Sequence, residues 1–135
     1  MKLSYQRALW AAYSVLNELY KEKGDTIRLA EILSEMNPFL FIPRTCADPA
    51  LWVEWKKCCS KIDDSGFLTS EQVMPALEDF LRVNEEEYSC FDDMDGDYSA
   101  DEIIRELSSF MKNGTWNKIL DWAATANEIE DDSAL

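Results

Sequence analysis

The chain has no histidine in its 135 residues. That removes the commonest general base, the commonest metal ligand and the usual partner of a serine or cysteine nucleophile. It also lacks GxGxxG, HExxH, GxSxG and the Gly-rich run ending in Gly-Lys-Ser/Thr, each of which ties a spacing to a chemistry. Carboxylates alone could pair for acid–base work. Every Asp and Glu here lies in a polar run or on a patterned helix surface, where normal ionisation is expected. The sequence therefore points away from an enzyme. No apolar run approaches the roughly 18 residues of a membrane span, and the opening MKLSYQRALW has no charged, then apolar, then small-residue signal pattern. A cytoplasmic location without membrane contact is expected. Cysteine is scarce: Cys46, Cys58, Cys59 and Cys90. The adjacent pair is not CxxC, and no second pair completes a zinc set. Four free thiols are expected, packed as small hydrophobes in a reducing compartment. Neither a metal nor a cofactor is expected.

What is present reads as helix. The length favours one domain, and 47% hydrophobic with 12% aromatic residues is too apolar for a disordered acidic tail. SYQRALWAAYSVLNELYKEKG starts at Ser4 as a cap and stops at Gly24, with Leu9, Ala12, Tyr13, Leu16 and Tyr20 on one face. DTIRLAEILSEM follows, capped by Asp25, with Ile27, Leu29, Ile32, Leu33 and Met36 apolar. The prolines of NPFLFIPRTCA bar a long helix there; FLFI could be extended but has no obvious strand partner. Asp48 then caps a helix with Pro49 at its first position, striped by Trp52, Trp55, Cys59 and Ile62. DDSGF is a turn. Capping boxes open the next two helices, Thr69 with Gln72 and Ser99 with Glu102; Pro75 predicts a kink or a late start in the first of them. TWNKILDWAATANEI is the last helix, and residues 131–135 are expected to fray.

The second half repeats the first. LSYQRALWAAYSVLNEL lies on LTSEQVMPALEDFLRVN at an offset of 65, EILSEM on EIIREL at 71, and VEWKKCCSKI on LDWAATANEI at 67. The expected fold is an all-α six-helix bundle of two related three-helix repeats, residues 1–67 and 68–130, in a single domain. Packed on each other, the repeats would place Trp52, Trp55 and Trp122 mostly in a shared core.

The charge does not repeat. Residues 1–67 hold nine Lys+Arg and nine Asp+Glu, whereas residues 68–135 hold four and eighteen, so the net −14 belongs to the second half. Folding does not require this, and self-repulsion slightly opposes it. The field repels nucleic acid and anionic membrane and attracts a cation, either a metal or a basic protein surface. A calcium loop fits poorly. With Asp93, Asp95 and Asp97 at ligand positions 1, 3 and 5 of a 12-residue loop, Glu102 falls at position 10. With Gly96 at position 6, position 1 is Phe91. KIDDSGFLTSEQ puts Gly66 at position 6 and Leu68 at 8, but Lys61 at 1 and Gln72 at 12.

The segment EILSEMNPFLFIPRTCADPALWVEWKKCC, through Ala47, Asp48, Pro49, Ala50, Trp52 and Trp55, resembles the immunity proteins encoded beside bacterial polymorphic toxins, those of contact-dependent growth inhibition among them. The second copy keeps LTSEQVMPALEDFL and Trp122 but has NGTWNKILDW in place of the Asp-Pro. The resemblance implies a protein that neutralises a cognate toxin and assigns no catalytic residues. A nuclease toxin holds phosphate in a basic cleft, which an acidic helical protein can fill or cover. The candidate partner-binding residues are therefore Glu85, Glu86, Glu87, Asp92, Asp93, Asp95, Asp97 and Asp101, with Tyr88, Phe91 and Tyr98 as aromatic anchors among them. An EF-hand-like calcium module and a phage-type nucleic-acid-mimic inhibitor are the alternatives.

Overall fold

The computed structural model describes residues 2–24, 27–40, 43–87 and 99–126. Among them are six helices and one two-stranded sheet: β1 (Lys2–Ser4), α1 (Tyr5–Lys23), α2 (Ile27–Met36), α3 (Pro49–Ile62), β2 (Phe67–Thr69), α4 (Ser70–Glu87), α5 (Ala100–Lys112) and α6 (Thr115–Thr125). α1, α3, α4 and α5 begin where side chains can take their orphan N–H groups. Ser4 Oγ accepts from the Arg7 N–H at 3.2 Å, and Asp48 Oδ1 accepts from the Ala50 N–H at 2.9 Å with Pro49 next in line. Each capping box makes one of its two reciprocal bonds: the Thr69 N–H donates to Gln72 Oε1 at 2.8 Å, and the Glu102 N–H donates to Ser99 Oγ at 3.2 Å. The expected cap Asp25 lies outside the described residues. α4 neither starts late nor stops at Pro75, which sits inside it on the exposed side. So near the N-terminus the ring deletes one early hydrogen bond and meets no packed neighbour.

The chain is predominantly helical, as expected, and one small two-stranded sheet is added to the helices. β1 and β2 pair antiparallel, with Lys2 opposite Thr69, Leu3 opposite Leu68 and Ser4 opposite Phe67. Each strand runs straight into a long helix, and its single inward residue, Leu3 or Leu68, is fully buried. Three residues with one apolar position carry too little period-two signal to read as a strand. Gly66, at φ +95°, turns the chain into β2. The Tyr5 hydroxyl clasps this turn by donating to the Asp63 carbonyl and accepting from the Gly66 N–H at 3.3 Å.

α1 is the central helix and packs against the other five. Ala8, Leu9, Trp10, Ala11, Ala12, Val15, Leu16 and Leu19 are buried, so its apolar surface extends well around the axis, while Tyr13 and Tyr20 are only partly buried. The alanines let neighbouring backbones approach, which a one-face stripe does not anticipate. The segment after α2 is docked. Among its described residues, Phe39 lies against Trp10, Tyr13 and Trp122 with ring centroids 5.8–6.1 Å away. Arg44 is buried; its Nη1 donates to the Phe39 carbonyl at 2.8 Å, and its own carbonyl accepts from Gln6 Nε2 and Trp10 Nε1.

The α3 stripe is rotated from the expected one. Leu51, Trp55, Cys58 and Cys59 face the core, Trp52 is half-buried and Ile62, at the helix end, is exposed. Trp55 is fully buried, edge-on to Phe80, with its Nε1 donating to the Tyr5 carbonyl at 2.8 Å. Trp122 is 39% exposed, contrary to the expected core position, because Trp116, Leu120 and Ala123 form the inward face of α6. Arg7 secures that helix. Its Nη1 donates to the carbonyls of Ala123 and Ala126 at 2.9 and 2.7 Å, placing a cation on the negative end of α6.

Buried positions recur along the chain. Residues 8, 9, 11, 12, 15, 16 and 19 of α1 are buried, and so are residues 73, 74, 76, 77, 80, 81 and 84 of α4, each 65 further on. Leu29, Leu33 and Met36 of α2 correspond in the same way to Ile103, Leu107 and Phe110 of α5, but at 74. EILSEM and EIIREL are thus displaced by about one turn from their sequence match. Cys46, Cys58 and Cys59 are buried free thiols.

Candidate functional site

The C-terminal end of α4 and the N-terminal end of α5 lie together. The Glu85 carboxylate accepts from the Ala100 N–H, at the first residue of α5. Acids at a helix start are favourable, and α5 has Asp101 and Glu102 there, behind the Ser99 cap. α4 is different. Its last three residues are Glu85, Glu86 and Glu87, with no basic residue in the last turn. Three Glu residues therefore end a helix whose last turn supplies no base against its negative pole. Arg82 is one turn back, and its Nη2 lies 3.3 Å from Asp101 Oδ1 with both side chains largely exposed, a pair worth little.

Of the eleven candidate residues, Glu85 and Asp101 are brought to this shared end with their side chains described, and Glu86 and Glu87 belong to the last turn of α4. Tyr88, Phe91, Asp92, Asp93, Asp95, Asp97 and Tyr98 lie outside the described residues. Elsewhere the acids of the second half meet bases of the first. Lys23 Nζ is 2.5 Å from Glu106 Oε1, and Lys61 Nζ is 3.7 Å from Asp79 Oδ2. Some of the excess acid is thus held within the fold, while the last turn of α4 contains no basic residue.

The loop after α3 uses its oxygens internally. Lys61, at its first ligand position, is held towards Asp79. The Asp63 carboxylate accepts from the Ser65 N–H at 3.0 Å, which holds it below the usual carboxylate range. The Asp63 carbonyl is taken by the Tyr5 hydroxyl. A phenol thus ties the turn where a calcium loop would gather oxygens around an ion. Among the described residues no group of three or more Cys, Asp or Glu side chains is disposed to hold a metal.

A shallow cleft of about 250 Å³ runs between α1 and α6, lined by Ser14, Glu18, Thr115, Lys118, Ile119 and Trp122. Sequence reasoning missed it because it assigned Trp122 to the core. The signal available was the helical spacing of Trp116, Leu120 and Ala123, which turns Trp122 off the buried face. No helix among the described residues is long and apolar enough to cross a membrane. No protein-family model matches the chain, and no curated protein or solved structure is significantly similar to it.

Proposed function

We propose that the protein is an immunity protein that binds a cognate basic toxin domain, of the nuclease type, and neutralises it through the acidic surface of its second half. The observation that carries this reading is the end of α4: Glu86 and Glu87 close a helix whose last turn has no basic residue, and that end adjoins the start of α5, which has Asp101 and Glu102 in its first turn. Carboxylates at that place cost the fold something, and a cationic surface laid against them would recover it. The toxin's Arg and Lys would meet carboxylates in place of phosphates, which gives fast, salt-dependent capture. The protein performs no reaction in this account and acts in the cytoplasm by covering or filling the toxin's basic cleft. It binds neither nucleic acid nor membrane.

The two-repeat organisation belongs to the same proposal. Supporting it are Leu3 facing Leu68 across the sheet, the strand that opens each long helix, and buried faces recurring at 65 residues. The offset grows from 65 between α1 and α4 to 74 between α2 and α5 because Ile27 of α2 comes four residues after the end of α1, whereas Ala100 of α5 comes thirteen residues after the end of α4. The excess acid belongs to the second half, so one scaffold would present a neutral half and a binding half.

The test uses the partner that a pull-down with this protein recovers from cells of the same strain. Changing the acids of positions 85–97, and Asp101, to Asn and Gln should slow association and flatten its salt dependence, with the helical content unchanged. Association as fast and as salt-dependent as the parent's would remove the acidic surface from the interface.

A further inference from the structure

We draw no further inference here: the strongest candidate, the apolar cleft between α1 and α6 beneath the exposed face of Trp122, carries charges of both signs at its rim in Glu18 and Lys118, and nothing in the structure shows what covers it.

Discussion

Replacing Glu86 and Glu87 together by glutamine should make the protein more stable while weakening its capture of a cationic partner. Both are in the final turn of α4, where the last carbonyls have no partner within the helix and sum to about half a negative charge. A carboxylate in that position is disfavoured by about 0.3–1 kcal/mol at low ionic strength. No basic residue of that turn offsets it. The pair therefore costs about 0.6–2 kcal/mol by the same scale. Glu85 is left in place, because its carboxylate accepts from the Ala100 N–H and glutamine would lose that charge-assisted bond. For a chain of this size about 1 kcal/mol moves Tm by about 3–5 °C, so the double variant should melt about 2–10 °C higher. Thermal unfolding followed by circular dichroism measures this. It should be repeated from about 0.01 M to about 1 M salt, over which the screening length falls from about 30 Å to about 3 Å. The gain should shrink as salt rises. A variant no more stable than the parent at low salt, or one whose gain persists at high salt, would refute the dipole reasoning and take away the main support for a cation-seeking surface there.

Trp55→Ala should cost about 3–5 kcal/mol, since the ring is fully buried and its Nε1 holds the Tyr5 carbonyl. Trp122→Ala should cost less than half of that, and equal losses in urea unfolding would return Trp122 to the core. The thiols of Cys46, Cys58 and Cys59 should resist iodoacetamide at mild alkaline pH until the protein unfolds. Burial pushes Cys46 and Cys58 up to about 12 and Cys59 higher still. The fold holds the neutral thiol, so this stabilisation is whole below the ordinary thiol value of about 8.5 and is lost as pH rises towards the folded values; peptide mapping that finds native labelling at these sites contradicts the burial. Glu35→Gln should raise Tm at neutral pH and change it little in mild acid. Burial first, then Asp48 and Glu31, raises the Glu35 carboxyl, so its stabilising neutral form is present below about 4.3 and lost above. A larger gain in acid than at neutrality would reverse that sign.

Much of the helical grammar was legible because it is local. Ser4, Asp48, Thr69 with Gln72, and Ser99 with Glu102 each satisfy a backbone N–H within three residues, so the bond is written in the chain itself. The misreadings have non-local causes. The pairing of Leu3 with Leu68 joins residues far apart in sequence, and three-residue strands leave no pattern. The stripe on α3 was rotated because Trp52 and Trp55 are equally apolar by type, and only the position of Phe80 and the Tyr5 carbonyl selects Trp55. That the Asp63 carbonyl in the 61–72 loop is taken by Tyr5, 58 residues away, was equally beyond local pattern.

By itself the sequence determined that the chain is predominantly helical, where several helices begin, and that its excess negative charge belongs to the second half, because composition, periodicity and caps act over a few residues. Only the tertiary structure decided that α1 is central, that Trp122 looks outward, and that the acidic end of α4 adjoins the start of α5. Those outcomes depend on which helix faces are covered by distant parts of the chain, and burial is a property of the packed whole.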